Sequence, residues 1–255
     1  MLDLTYPPII LAAKTGFRAL GQRFTMTGTE HVPRTGGVLL AVNHVGYLDF
    51  IYGGLAANPS GRKVRFMAKK EIFDHPVGGP VMRSMHHIAV DRGEGLASYR
   101  AAVDYLRAGE AVGIFPEATI SRSMELKEFK TGAVRIAAEA GVPVVPVILW
   151  GTQRILTKDH PKDFSRGKTI AIAVGEPMHP TGEDPVAETA SLRARMGAML
   201  EQVVADYPAD EQPPGSWWVP ARFGGSAPTP EEAERLDAEE KRRRAERRAA
   251  KQRGN

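Results

Sequence analysis

The strongest constraint on the fold is an alternation that begins at residue 37, where short apolar runs are separated by longer stretches of helical periodicity. This alternation is typical of a sheet whose strands are joined and covered by helices. The predicted strands are 37–42, 64–68, 88–90, 111–115, 144–149 and 169–174. The predicted helices are an amphipathic one at 7–22 and three more at 95–107, 132–140 and 186–205. The sequence therefore predicts an α/β fold: a mixed sheet covered by helices, with an N-terminal amphipathic helix and a charged C-terminal tail.

Length and composition indicate one main globular domain with short appendages. The chain has 255 residues, of which 42% are hydrophobic and 25% charged, enough to bury one sizeable core. It has no cysteine, which excludes disulfides and thiolate metal sites, and its seven histidines lack the paired spacings of a zinc site. The first residues lack the basic start of a secretory signal, and no apolar stretch approaches the roughly 20 residues that span a bilayer. We expect a protein that neither spans a membrane nor is exported.

The positive charge of the chain is concentrated near its C-terminal end. Residues 241–253 hold eight lysines and arginines against one glutamate, a net charge of +7, whereas the whole chain carries +4 and the remainder therefore −3. The basic character belongs to the tail, so nucleic acid is not an expected partner. We expect an N-terminal segment at 1–27, a folded domain at 28–225, where packed structure ends, and a disordered or helical tail at 226–255.

A histidine and an aspartate stand where the first predicted strand passes into the next segment. His44 follows the strand at 37–42, and Asp49 lies five residues later, with Gly46 favouring a turn between them. The two side chains meet only if His44 lies in the turn and Asp49 in the first helical turn. The carboxylate then fixes the imidazole tautomer, and the histidine becomes a general base that needs no serine. The alternative is a histidine bonded to loop backbone, with Asp49 as a helix cap.

Four sequence blocks resemble, in order, those of the glycerolipid acyltransferase family, which includes the 1-acylglycerol-3-phosphate acyltransferases. Asn43-His44 followed by four residues and Asp49 is similar to the family's first block. The other three are Ile-Ala-Val-Asp-Arg at 88–92, Phe-Pro-Glu-Ala-Thr-Ile-Ser at 115–121 and Val-Pro-Val-Val-Pro-Val at 142–147. The resemblance covers roughly residues 28–180.

The resemblance implies an acyl transfer reaction and a set of site residues. It makes His44 and Asp49 catalytic and implies a thioester donor, acyl-CoA or acyl carrier protein, with no metal or redox cofactor. It implies a lysophospholipid acceptor, lysophosphatidate or a related glycerol phosphate. The implied acceptor-site residues are Arg92, Glu117, Thr119, Lys130 and Arg122. Without the resemblance, Arg92 reads as one half of a surface ion pair and Glu117 as a helix-start carboxylate.

The third block departs from the family pattern at two positions. Ala118 stands where glycine is usual, and Ile120 stands where arginine is usual, which removes one expected phosphate contact. Arg122, two residues later, is a candidate substitute. The departure leaves open a glycolipid acceptor or a catalytically silent lipid-binding relative. Met85-His86-His87, before the second block, predicts exposed histidines or histidines that line an acceptor pocket.

An enzyme with such an acceptor and no spanning helix needs a membrane lipid surface as partner. Three segments combine basic and apolar residues or carry dense basic charge: 7–22, 62–73 and the tail. The predicted localisation is cytoplasmic, peripheral on the inner face of the cell membrane. The competing functions are a metal-dependent hydrolase that uses His44 and Asp49, and a lipid- or nucleic-acid-binding protein that keeps the fold.

Overall fold

The computed structural model describes residues 5–76, 78–91 and 95–253. Its strands are Arg23–Thr27 (β1), Val38–Val42 (β2), Val64–Lys69 (β3), Ile88–Val90 (β4), Ala111–Ile114 (β5), Val144–Trp150 (β6) and Thr169–Val174 (β7). Its α-helices are Tyr6–Ala19 (α1), Asp49–Ala56 (α2), Lys70–Phe73 (α3), Gly78–Ser84 (α4), Gly95–Arg107 (α5), Gly132–Ala140 (α6), Pro185–Ala205 (α7) and Pro230–Arg253 (α8). The predicted α/β fold with a mixed sheet is confirmed.

The seven strands form one sheet in the order β1-β7-β6-β2-β5-β3-β4. Every neighbouring pair is parallel except β6 and β7, which run antiparallel. Strand β2 is central, with β6 on one side and β5 on the other, and its residues are fully buried. A parallel sheet covered on both faces requires such continuous apolar strands.

Alternate residues of β2 enter two different apolar clusters on opposite faces of the sheet. Leu39 packs with residues of α5, α6 and α7, whereas Leu40 packs with residues of α2 and the antiparallel strand β7. This division follows from the two-residue period of a strand, which points successive side chains to opposite faces. The sheet is therefore the middle layer of the molecule.

Strand β1 lies in the segment that the sequence predicts as an N-terminal appendage. Residues 23–27 read Arg-Phe-Thr-Met-Thr and alternate exposed and half-buried side chains. They pair in parallel with β7, at the edge of the sheet. The sheet therefore begins before residue 28. Helix α1 precedes it and anchors itself through Tyr6, whose hydroxyl donates to the carbonyl of Val64 over 2.9 Å.

Packed structure continues beyond residue 225, so the expectation that it ends there is wrong. Ala227 and Ala233 are buried, and the first belongs to the main apolar cluster. Asp237 and Glu240 of α8 form ion pairs with basic side chains of the folded body. These ion pairs hold part of α8 against the domain, although α8 has the charged composition that predicts a tail.

Over the described ranges 5–76, 78–91 and 95–253, none of the helices is both long and apolar enough to cross a membrane.

Candidate active site

The candidate site lies at the carboxyl ends of three neighbouring parallel strands, β6, β2 and β5. Asn43 and His44 follow β2, Phe115 follows β5, and Thr152 lies two residues after β6. Parallel strands end at the same edge of a sheet, which brings side chains from distant parts of the chain together. The next strands in the sheet, β3 and β4, run parallel to these and end at the same edge.

The buried side chain of Asn43 fixes the end of β2 against β6. Its amide nitrogen donates to the carbonyl of Leu149 over 3.0 Å, and its amide oxygen accepts from the Leu149 N–H over 2.7 Å. These two hydrogen bonds satisfy the buried N–H and carbonyl groups of Leu149, which lies beyond the last residue pair of β2 and β6. The residue before His44 therefore has a defined position.

His44 and Asp49 meet in the geometry that a positioned general base requires. The His44 Nδ1 atom lies 2.9 Å from the Asp49 Oδ2 atom. An ionised carboxylate only accepts hydrogen bonds, so it fixes Nδ1 as the protonated ring nitrogen and leaves the lone pair on Nε2. Asp49 is fully buried, whereas the His44 side chain is 19% exposed. One edge of the imidazole is therefore open to a substrate.

Asp49 also organises the turn that carries the histidine. As the first residue of α2, it accepts the N–H groups of Val45 and Gly46 on Oδ2, each over 2.7 Å. Its Oδ1 accepts the hydroxyl of Thr152 over 2.7 Å. The alternative interpretation of Asp49 as a helix cap is wrong, because the N-cap of α2 is Leu48 and the N–H groups that Asp49 accepts precede the helix. One carboxylate therefore holds both the turn and the ring.

An aromatic stack supports the other side of the imidazole ring. The His44 and Phe115 rings lie 4.1 Å apart at 18°, and Phe115 stacks on Phe66 at 5.5 Å and 20°. A Cβ atom at Gly113 would lie 2.5 Å from the Phe66 ring, so glycine is required where this ring covers β5. The stack fixes the plane of the ring and excludes water from that face.

Glu117 is buried beside the turn that carries His44, the histidine turn, and its carboxylate fixes the backbone of that turn. Its Oε1 accepts the His44 N–H over 2.8 Å, and its Oε2 accepts the Lys127 N–H over 3.1 Å. Burial raises the pKa of Glu117 to about 8, against the lowering effect of these two N–H donors. This placement favours a positioning role over the predicted contact with the acceptor.

A cluster of three basic side chains lies next to this turn, the cation cluster of Arg122, Lys127 and Lys158. Lys127 Nζ donates to Thr119 Oγ1 over 2.9 Å, and Lys127 also contacts Glu117 through its backbone. Lys158 follows Thr157, whose hydroxyl donates to the Val45 carbonyl over 2.6 Å. Burial lowers the pKa of Lys158 to about 8.

The carboxylates of α8 cover the cation cluster. Arg122 is only 6% exposed and donates to Asp159 over 2.5 Å and to Glu240 over 3.0 Å, and it also pairs with Asp237. Lys158 Nζ lies 3.1 Å from Asp237 Oδ1, and Lys127 pairs with the same carboxylate. Arg122, predicted as a substitute phosphate ligand, therefore has intramolecular anionic partners on three sides.

Two predicted site residues remain, Arg92 and Lys130, together with the two departures from the family pattern at 118 and 120. Arg92 lies outside the described residues, two positions after the end of β4. Lys130 is exposed, and its N–H donates to the Pro116 carbonyl over 2.9 Å. Ile120, at the usual arginine position, is buried. Ala118, at the usual glycine position, has a φ of 59°, in the left-handed region.

Two further observations correct or extend the sequence interpretation. His87 is buried and accepts the Phe66 N–H over 2.9 Å, so the expectation of an exposed histidine is wrong there. In the part of the chain that the structure describes, no three histidine or acidic side chains converge in a way that could hold a metal ion.

Sequence reasoning missed three residues of the site: Thr152, Lys127 and Lys158. The signal for Thr152 was present, because Gly151-Thr152 directly follows a long apolar strand, as Asn43-His44 does. Lys127 and Lys158 lie in irregular segments without periodicity, and nothing local indicates that they converge. Sequence reasoning also treated Phe115 only as part of a motif, not as the support of the imidazole.

Comparisons with known proteins indicate which family the chain is similar to. Residues 23–150, about half of the chain, match the family model described as Acyltransferase. The 1-acyl-sn-glycerol-3-phosphate acyltransferase of Bacillus subtilis is 33% identical over 66% of this chain and 83% of its own length. That of Borreliella burgdorferi is 30% identical over 60% and 61%. The chloroplastic enzyme LPAT1 of Arabidopsis thaliana is 29% identical, and the match spans only 47% of its length.

A solved structure has the same fold. The crystal structure of the 1-acyl-sn-glycerophosphate (LPA) acyltransferase PlsC from Thermotoga maritima aligns with a TM-score of 0.67. The alignment covers 80% of this chain and 81% of that chain, at 23% identity.

Proposed function

Since the chain belongs to the acyltransferase family, we propose that it transfers a long-chain fatty acyl group from a thioester to a hydroxyl of lysophosphatidate or a related glycerol phosphate. The observation that carries the proposal is the contact of 2.9 Å between His44 Nδ1 and Asp49 Oδ2. The similarity to proteins named 1-acyl-sn-glycerol-3-phosphate acyltransferases supports the acceptor class and a place in phospholipid synthesis.

The chemistry needs one base and a defined orientation of the two substrates. His44 Nε2 takes the proton of the acceptor hydroxyl while the hydroxyl oxygen attacks the thioester carbonyl. The tetrahedral intermediate then collapses, the carbon–sulfur bond breaks, and the thiolate leaves and takes up the proton held by His44. A thiolate is a good leaving group, so no covalent acyl-enzyme is required. Asp49 stabilises the imidazolium that forms between these steps.

The other residues of the site act by positioning. Asp49 and Thr152 fix the turn and the ring, Phe115 supports the face of the imidazole, and Glu117 holds the His44 backbone. This support belongs to the fold before any substrate binds, so little reorganisation is needed at the moment of proton transfer. Arg92 remains a proposed ligand of the acceptor phosphate, since the parallel strand before it ends at the same edge of the sheet.

The proposed donor is acyl-CoA or acyl carrier protein, and the proposed working place is the inner surface of the cell membrane. Helix α1 supports a lipid contact, because Leu11 is 64% exposed beside basic residues of the same helix. The segment 62–73 supports it less than its composition suggests. There Arg62 donates to backbone carbonyls of Pro33, Gly36 and Gly109.

The proposal is tested by measuring CoA release from a long-chain acyl-CoA with and without acceptor. The unmodified protein should release CoA only when an acceptor is present. Comparison of glycerol 3-phosphate, both lysophosphatidate isomers and a glycolipid identifies the acceptor class. His44→Ala should lower turnover by about 10²–10⁴-fold, the usual contribution of a general base.

The matched control is His179→Ala, which removes an exposed histidine after β7. That variant should retain full turnover. Equal turnover in His44→Ala and the unmodified protein, with both variants folded by circular dichroism, would contradict the mechanism.

A further inference from the structure

Helix α8 presents two carboxylates to the cation cluster from one face. Ala233, Asp237 and Glu240 are spaced four and three residues apart, so their side chains project from the same side of the helix. Ala233 is buried against the domain, and the two acidic residues pair with the cluster. The helix therefore docks on the domain through this face, with its acids over Arg122, Lys127 and Lys158.

The place that α8 covers adjoins the candidate active site. The backbone N–H of Lys127 and the backbone N–H of His44 donate to opposite oxygens of the same carboxylate, that of Glu117. Lys158 is adjacent to Thr157, which holds the carbonyl of Val45 in the histidine turn. A ligand bound by the cluster would therefore lie beside the histidine turn.

The attachment of this part of α8 depends mainly on charge. Leu236 is 38% exposed, and the other residues of 231–240, apart from Ala233, are charged or are the exposed Ala238. Ion pairs near a surface contribute little net stability and weaken as competing ions are added. Anions that bind the cluster can therefore displace the helix without unfolding a large apolar interface.

The two carboxylates match a phosphate monoester in charge and chemistry. Together they carry two negative charges, and a phosphate monoester carries about −1.5 to −2 at neutral pH with three acceptor oxygens. Arginine and lysine bind both groups through charge-assisted hydrogen bonds, and arginine prefers the paired geometry that carboxylate and phosphate share.

We propose that the cation cluster is a phosphate-monoester site which α8 closes with Asp237 and Glu240. The helix and the acyl acceptor then compete for the same basic side chains. The proposal rests on the proposed function, because the phosphate in question is that of the acyl acceptor. The basic half of the helix, residues 241–253, favours a lipid as the source of that phosphate. An anionic lipid surface attracts those residues and draws the helix from the cluster.

The direct test uses inorganic phosphate as the probe and isothermal titration calorimetry at constant ionic strength and neutral pH. The double variant Asp237→Asn with Glu240→Gln should bind phosphate at least tenfold more tightly than the unmodified protein. The control, Glu239→Gln with Glu246→Gln, removes the same charge from α8 without touching the cluster. The control should bind phosphate within about twofold of the unmodified protein, and equal affinity in all three proteins overturns the proposal.

Hydrogen exchange on the unmodified protein tests the proposal independently of whether the double variant folds. Phosphate should accelerate amide exchange at 231–240 more than chloride of equal ionic strength does. Vesicles that contain phosphatidate should do the same at much lower phosphate concentration than the free ion, whereas phosphatidylcholine vesicles should not. Unchanged exchange at 231–240 in all of these conditions overturns the proposal.

These measurements require no acyl transfer, so the two proposals can fail separately. If phosphate releases α8 but no acceptor supports CoA release, the proposed function fails and the phosphate site stands. If CoA release depends on His44 but phosphate neither binds more tightly in the double variant nor releases the helix, only the present proposal fails.

Discussion

At the scale of single residues, Asp49 shows how one buried carboxylate can serve structure and chemistry together. Its two oxygens accept the His44 ring, two backbone N–H groups and the Thr152 hydroxyl. Each of these bonds lies between 2.7 and 2.9 Å. Because the same oxygen holds the turn and the ring, the position of the imidazole is tied to the backbone that carries it.

Ala118 predicts a stabilising substitution in the third sequence block. It has a φ of 59°, which costs an L-residue about 1–2 kcal/mol, whereas glycine adopts it freely. Glycine also gains about 0.4–1 kcal/mol of backbone entropy in the unfolded chain. Ala118→Gly should therefore raise the free energy of unfolding by about 0.5–1 kcal/mol in urea denaturation.

The control for that substitution is Ala209→Gly, an exposed residue in the 3₁₀ helix Ala209–Glu211, which is not among the residues with positive φ. It should lower stability slightly, because only the entropic cost of glycine applies there. A loss of stability in Ala118→Gly as large as in the control would show that no strain is relieved.

His44 and Asp49 could be predicted from sequence because their contact is local, spans five positions and depends on one turn. The ion pairs that cover Arg122 could not be predicted from sequence, because Asp237 and Glu240 lie 115 and 118 positions away. Such a pairing depends on where α8 docks, which is decided by packing of the whole chain. The same reason explains why sequence reasoning gave Arg122 as a candidate phosphate ligand without its carboxylate partners.

At the scale of elements, Asn43 joins the end of β2 to β6, and its loss should be costly. Asn43→Ala leaves the N–H and carbonyl of Leu149 without their side-chain partners in a fully buried setting. Unpaired buried groups cost about 1–3 kcal/mol each, so we expect the free energy of unfolding to fall by about 2–4 kcal/mol. Turnover should fall as well, since the next residue is His44.

Asn58→Ala is the matched control for this change, because it removes the same side chain from a half-buried turn after α2. Urea denaturation and CoA release should both show a smaller effect there. Equal losses in the two variants would mean that Asn43 has no special role in joining the strands.

The strands that sequence reasoning predicted were those with predominantly apolar runs. The predicted strand at 64–68 corresponds to Val64–Lys69, and the one at 169–174 matches Thr169–Val174 in full. Strand β1 was missed because it is a five-residue edge strand whose Arg and Thr side chains are exposed and whose Phe and Met side chains are only half-buried. An edge strand buries too little to leave an apolar run, so its pairing with β7 cannot be predicted locally.

At the scale of the whole molecule, the pKa of Glu117 predicts a pH dependence of stability. The pKa of this carboxyl is raised from an ordinary 4.5 to about 8, so between these values the folded protein holds a proton that the unfolded chain releases. Its contribution to stability is therefore complete below about pH 4.5 and is lost as pH rises toward 8.

Glu117→Gln isolates this dependence, since glutamine does not titrate and every other group is common to the two proteins. The difference in free energy of unfolding between the unmodified protein and the variant should be largest near pH 4.5. It should shrink steadily toward pH 8, as measured by urea denaturation. A difference that stays constant or grows with pH would contradict the raised pKa.

The division of charge between body and tail has a consequence for how the molecule approaches a surface. The tail carries +7 and the remainder −3, and 13 residues of helix extend the positive end by about 20 Å. The protein is therefore a strong electric dipole, which experiences a torque in the field of a negatively charged bilayer before any contact forms. Since α8 docks beside the histidine turn, that torque would turn the side of the molecule that holds His44 toward the bilayer.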